Sequence, residues 1–207
     1  MWRCGDSDHL QVLQASGLTY RWGEASAVGS GRGIERVNMC LERGSFTVVA
    51  GARGAGKTTL LRALLGQLHL DAGDIRCNGV LVTDPGRFLA LPRVAYIAQA
   101  HAEPEELLCW EVAEALEAGA ELLVVDDLST VLSARQERAL WDALFARRLF
   151  RRWGACLAVS NRQAALSRAD HILVLAEGKM VGEGRLEALL VTCTEMQRIC
   201  GLDPQGL

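Results

Sequence analysis

In the run Gly51-Ala52-Arg53-Gly54-Ala55-Gly56-Lys57-Thr58-Thr59, the first eight residues satisfy G-x-x-x-x-G-K-[ST] at every fixed position. The chemistry served by this spacing is the grip on a polyphosphate. Glycines let the backbone curl until successive amides and a helix N-terminus face one phosphate group. Lys57 supplies a point charge to the neighbouring oxygens, and the Thr58 hydroxyl is a hard-oxygen ligand for Mg²⁺. Arg53, inside the loop, reads as solvent-facing. A second feature fits the first: ELLVVDD, at 121–127, is an apolar run that ends in two carboxylates. Asp126 is placed to hold a metal's water shell and Asp127 to polarise an attacking water. An apolar run into aspartate is common at strand ends, so its weight here comes from following the glycine-lysine turn in the same chain.

Those residues need rigid carriers. FTVVAG (46–51) reads as a short apolar strand entering the glycine turn, and GKTTLLRALLGQL has helical spacing directly after it. Further apolar strands are expected at 94–99 (VAYIAQ), 121–127, 155–161 (ACLAVSN) and 171–178 (HILVLAEG), with helices at 105–118, 133–148 and 162–168. Upstream, the alternation in LQVLQASGLTYRW and ERVNMCLERGSFTVVAG predicts two or three strands of an antiparallel layer. The fold class is therefore α/β: a mostly parallel sheet with flanking helices, plus a small N-terminal antiparallel layer. One domain fills 1–207, with the antiparallel layer at about 10–45, the α/β core at about 46–184, an insert at 100–120 and a helical segment at 185–207.

Totals exclude several classes. Half of the 207 residues are hydrophobic and the formal charge is −3, so neither a disordered tail nor a basic nucleic-acid binder fits, and no nucleic acid is expected as partner. No apolar run reaches the roughly 18 residues of a membrane helix, and MWRCGDSDHL lacks the order of a signal peptide, which reads as a cytoplasmic chain. Seven scattered cysteines, with no C-x-x-C pair, read as reduced and mostly buried thiols. The histidines at 9, 69, 101 and 171 are isolated and none is assigned to a metal.

From about Leu10 to Gly201 the chain resembles the nucleotide-binding domain of ATP-binding cassette (ABC) transporters, in the exporter style. Trp22, in GLTYRW, matches the aromatic that stacks on adenine ahead of the phosphate loop. AGDIRCNG (72–79) resembles the turn after the first helix, and Gln99 matches the Q-loop glutamine that reaches Mg²⁺ and the attacking water. DDLSTVLS resembles the metal aspartate, catalytic carboxylate and D-loop in succession, and the switch position falls on Asn161. The resemblance implies binding of Mg²⁺ and ATP through Trp22, the loop from Gly51 to Thr59, Gln99 and Asp126. It also implies catalytic positions at Asp127, Asn161 and Gln99.

Departures from the family pattern shape the expected activity. Gln99 and Asp126 are 27 positions apart and no Ser-Gly-Gly-Gln occurs. A three-helix arm does not fit there, since one helix of about 14 residues already spans ~21 Å. The helical subdomain is thus largely missing, together with the signature that contacts the γ-phosphate held by the opposite subunit. Asp127 stands where the family has glutamate, Asn161 where it has histidine, and Ser133 where the D-loop has aspartate. The resemblance then implies an ATP-binding domain with slow or impaired hydrolysis. The alternative is a non-catalytic structural or regulatory subunit. Implied partners are a second cassette, paired head to tail, and a membrane permease, with the chain cytoplasmic or peripheral at the inner face of the cell membrane.

Overall fold

The computed structural model describes residues 9–22, 33–97, 114, 115, 117–146 and 154–202. Gln99 and most of the helix expected at 105–118 lie outside the described residues. The chain builds two sheets. Strands β1 (Val12–Tyr20), β2 (Ile34–Glu42), β4 (Ala72–Cys77) and β5 (Val80–Leu81) form an antiparallel layer in the order β2-β1-β4-β5. The larger sheet takes β3 (Phe46–Gly51), β6 (Val94–Ile97), β7 (Leu122–Asp126), β8 (Ala155–Val159), β9 (His171–Ala176) and β10 (Lys179–Gly184), in the order β10-β9-β3-β8-β7-β6. All of its pairs are parallel except β9 with β10.

Two expectations are corrected here. The antiparallel layer is not confined to 10–45, because AGDIRCNG forms β4 and its turn and pairs with β1, Ala15 opposite Ile75. Only Ile75 and Cys77 of that strand are buried, so little apolar alternation marked it as a strand. Of the early strands, β3 belongs to the larger sheet. The second correction concerns sulfur: Cys77 is disulfide-bonded, and among the described residues the free thiols Cys156 and Cys193 are buried whereas Cys40 and Cys200 are exposed. Disulfide pairing follows closeness in space, which the spacing of cysteines along a chain does not reveal.

Strands of the larger sheet read as continuous apolar runs because both faces are covered. Val49, Leu122, Val124, Leu157, Val159, Leu173 and Leu175 face one core, where helix α1 (Lys57–Leu64) lies between the two sheets and buries Leu60, Leu61, Ala63 and Leu64. Phe46, Val48, Leu123, Val125, Cys156, Ala158 and Ile172 face the other core, against helices α3 (Ala134–Ala146), α4 (Gln163–Leu166), α5 (Leu186–Thr192) and α6 (Thr194–Ile199). The short helix α2 (Pro85–Phe88) precedes β6. Each fully buried leucine contributes ~2 kcal/mol of transfer free energy, so the site rests on a well-anchored frame.

Helix α3 begins at a capping box. The Ser133 hydroxyl accepts from the Gln136 amide at 3.3 Å, while Gln136 Oε1 accepts from the Ser133 amide at 3.0 Å. Ser133 therefore serves its own helix. Ser133→Ala is expected to lower unfolding stability by ~1 kcal/mol in a urea titration, and an unchanged midpoint would contradict the capping role.

Candidate functional site

In the larger sheet the strand feeding the glycine turn is central, flanked by β9 and β8. The parallel register brings Gly51, Asn161 and the Asp126-Asp127 pair to one edge, the carboxyl ends of the strands, where open α/β sheets hold their ligands. Gly51 closes β3 with φ +152°, and a Cβ there would lie 2.3 Å from the Leu175 carbonyl oxygen, so only glycine fits between β3 and β9. Gly56 takes φ +103° and caps α1 with no side-chain bond, which leaves the first amides of the helix directed into the loop. The base of the loop is pinned by the Gly178 amide, which donates to the Ala55 carbonyl at 3.0 Å. Ala52, Arg53 and Gly54 are exposed at its rim and Ala55 is buried.

Lys57 Nζ donates to the carbonyls of Gly51 (2.7 Å) and Ala52 (2.9 Å), which holds the ammonium inside the curl of the loop. Burial lowers its pKa from the ordinary value, and the charges of Asp127 and Asp126 pull it back up. Leu122, Val124 and Asp126 share one face of β7 by the two-residue period, so the Asp126 carboxylate points toward α1. There Thr58 Oγ1 donates to its Oδ1 at 3.2 Å, and the Tyr96 hydroxyl of β6 donates to its Oδ2 at 3.2 Å. Asp126 is 2% exposed. Burial raises its pKa and the Thr58 and Tyr96 hydrogen bonds lower it again. Burial first, then the Asp126 charge, push the Tyr96 phenol up to about 12. A hydroxyl and a carboxylate in contact form a hard-oxygen donor set, which suits Mg²⁺.

Asp127 departs from the strand at φ +33°, and its Oδ1 accepts from the Ser129 amide at 3.1 Å, capping the single 3₁₀ turn Leu128–Thr130. Asn161 sits across the loop: its Oδ1 accepts from the Gly51 amide at 3.0 Å and its Nδ2 donates to the Gly51 carbonyl at 2.9 Å. Trp22 is 45% exposed. Its Nε1 donates to the Thr59 hydroxyl at 3.3 Å and its ring stands edge-on to Tyr20, with centroids 5.1 Å apart. That leaves indole surface open beside the start of α1.

The residues singled out in the sequence thus converge, apart from Gln99, which lies outside the described residues. Two elements of the site escaped that reading. One is Tyr96, whose signal was its two-residue spacing from Val94, on the face that meets Asp126. The other is a buried network behind the turn. Glu137, 1% exposed, accepts from Trp141 Nε1 (3.3 Å) and Ser160 Oγ (2.9 Å) and pairs with Arg162 Nη1 (2.9 Å). Arg162 Nη2 also donates to the Ser129 carbonyl at 3.0 Å. Its signal was a carboxylate in the apolar stripe Glu137, Leu140, Trp141 and Leu144, at spacings i, i+3, i+4 and i+7.

A glycine turn between a central parallel strand and a helix, with a lysine in the curl and a hydroxyl-carboxylate pair beside it, defines a P-loop nucleotide-binding α/β domain. The sequence model of the ABC transporter family matches residues 34–169, and the chain belongs to that family as an ATP-binding domain. It is 28% identical to the mycobactin import ATP-binding/permease protein IrtB of Mycobacterium tuberculosis over 217 aligned residues, covering 78% of this chain and 37% of that protein. The chain thus spans little more than a third of that relative's length. Its fold matches a bacterial Atm1-family ABC exporter with ATP bound (TM-score 0.73, 13% identity, 93% of this chain and 42% of that one). It also matches a nucleotide-free ATP-binding cassette from an ABC transporter (TM-score 0.73, 14% identity, 91% and 98%). Among the described residues no helix is long and apolar enough to cross a membrane.

Proposed function

We propose that this chain binds Mg·ATP at the turn from Gly51 to Thr59 and hydrolyses it slowly. The observation that carries the reading is the Thr58–Asp126 contact at 3.2 Å, which sets two hard-oxygen donors beside the ammonium of Lys57. Lys57 and the amides at the start of α1 hold the phosphates, Trp22 offers its indole to the base, and Thr58 and Asp126 hold the metal with Gln99. When bound, Mg²⁺ neutralises charge on the transferring phosphoryl oxygens. Base stacking of this kind is worth ~1–3 kcal/mol and tolerates different purines and pyrimidines.

Slow turnover follows from Asp127. Aspartate is one methylene shorter than glutamate, so its carboxylate lies about an ångström further from a water it would orient, and misplacement on that scale costs up to ~10²-fold. One oxygen of the same carboxylate, Oδ1, also accepts from the Ser129 amide, which holds the side chain toward its own turn. Purified chain is expected to release phosphate at least ~10²-fold below the ~10 s⁻¹ of a median enzyme. Asp127→Glu is expected to raise that rate on the order of tenfold, since the longer side chain recovers the missing reach. Robust turnover by the parent chain, or a drop in the variant, would contradict the assignment. The engaged state of Asp127 also favours a second reading, a non-catalytic subunit that pairs head to tail with a complete cassette and a membrane permease at the inner face of the cell membrane. A chain that binds nucleotide and never releases phosphate would select it.

A further inference from the structure

The Asn161 side chain touches Gly51 through both of its polar atoms. Strands β3 and β8 run in parallel register up to Val49 opposite Val159, and the Ser160 amide donates to the Val49 carbonyl at 3.3 Å. The paired register of β3 and β8 ends there, two residues short of Gly51. The Asn161 amide continues the pairing, accepting from the Gly51 amide at 3.0 Å and donating to the Gly51 carbonyl at 2.9 Å, so that a side-chain amide extends the ladder by one rung. Only Asn and Gln carry an acceptor and a donor side by side in one plane, whereas the two ring nitrogens of histidine point apart. On the opposite side Gly51 is closed in by β9, with the Leu175 carbonyl 2.3 Å from where a Cβ would sit. Its carbonyl also receives Lys57 Nζ at 2.7 Å. The first residue of the phosphate loop is therefore held from three directions, by Lys57 of the same loop and by Asn161 and β9, both distant in sequence.

We infer that Asn161 is a positioning residue of the phosphate loop and a determinant of its specificity. It fixes the Gly51 peptide units so that Lys57 and the curl of the loop are set for a β-phosphate, and it keeps that hold when a nucleotide binds. The inference rests on the nucleotide-binding reading above and changes what the resemblance implied for this position. With Oδ1 and one Nδ2 hydrogen fixed on Gly51, the side chain would have to give up both bonds to turn toward a γ-phosphate. The chain accordingly takes nucleoside diphosphates and triphosphates with closely similar affinity.

Two measurements test it. In amide hydrogen exchange without nucleotide, Asn161→Ala speeds exchange at Gly51 by about tenfold or more, whereas Val48 and Val49, inside the β3 ladder, keep their protection. Asn161→Asp, which retains the acceptor and loses the donor, falls between parent and alanine variant. A general loss of fold would instead expose all of β3. In calorimetric titrations the parent binds Mg·ATP and Mg·ADP within about threefold of each other, and Asn161→Ala weakens both by the same factor, on the order of tenfold. Unchanged exchange at Gly51 overturns the clamp. Loss of Mg·ATP affinity with Mg·ADP unaffected overturns the specificity claim, because it assigns the side chain to the γ-phosphate. A parent that binds neither nucleotide overturns the nucleotide-binding reading and the equal-affinity claim with it, and the exchange experiment still decides the clamp.

Discussion

Lys57→Ala is expected to abolish measurable Mg·ATP binding at concentrations that saturate the parent chain. The ammonium is half-buried in the curl of the loop, with its pKa lowered by burial and partly restored by Asp127 and Asp126. A charge held in that way meets phosphate oxygens after most of its water is gone. Truncating one side of such a charged contact costs ~3–4 kcal/mol, which is ~10²- to 10³-fold in affinity. The variant also removes the Nζ donor from the carbonyls of Gly51 and Ala52, at 2.7 and 2.9 Å, which leaves the Gly51 oxygen with Asn161 Nδ2 and turns the Ala52 oxygen to water or incoming phosphate. Stability is expected to change little, since Ala52 is exposed and the frame around β3 and α1 is untouched. Titration calorimetry on both proteins, with a thermal melt of each, checks the result. Equal affinity in variant and parent would remove Lys57 from the site.

The second large effect is on the fold. Arg162→Ala is expected to cost ~3–5 kcal/mol, because it strands the Glu137 carboxylate in the interior without its cation. Glu137 is 1% exposed, and its two remaining donors, Trp141 Nε1 and Ser160 Oγ, are neutral. Arg162 itself is a quarter exposed, which limits what the pair gains as an ion pair and leaves the abandoned charge as the main penalty. Combining Arg162→Ala with Glu137→Gln removes that charge and is expected to recover roughly half of the loss. Urea unfolding of the two variants and the parent reads these values. A loss under ~1 kcal/mol in the single variant would mean that the pair behaves like a surface salt bridge. Arg162 also donates to the Ser129 carbonyl, and the Ser129 amide donates to Asp127, so the damage is expected to reach the turn that carries Asp127.

The phosphate loop was readable because its residues are contiguous and each is constrained by the same backbone curl. Asp126 was readable as the end of an apolar strand, and the parallel α/β order followed from strands alternating with helical stretches. What stayed hidden depends on partners far apart in the chain. Tyr96 is an ordinary strand residue until the register sets it beside Asp126, 30 positions away. Glu137 lies in the apolar stripe of α3, and its partner Arg162 follows the switch position at the N-cap of α4. The role of Asn161 depends on the close approach of Gly51 across 110 residues, where family resemblance pointed instead to the phosphate. β4 resembles a turn in sequence because it buries only Ile75 and Cys77 and carries glycine and aspartate side by side. The disulfide at Cys77 was out of reach of spacing arguments altogether.

Titration of the purified chain with Mg·ATP in a calorimeter tests the central claim most directly, since binding depends on the loop, Thr58 and Asp126 and precedes any turnover. The account predicts one saturable site with micromolar affinity, about −8 kcal/mol. No saturable heat up to millimolar Mg·ATP, from a protein shown to be folded, would contradict it.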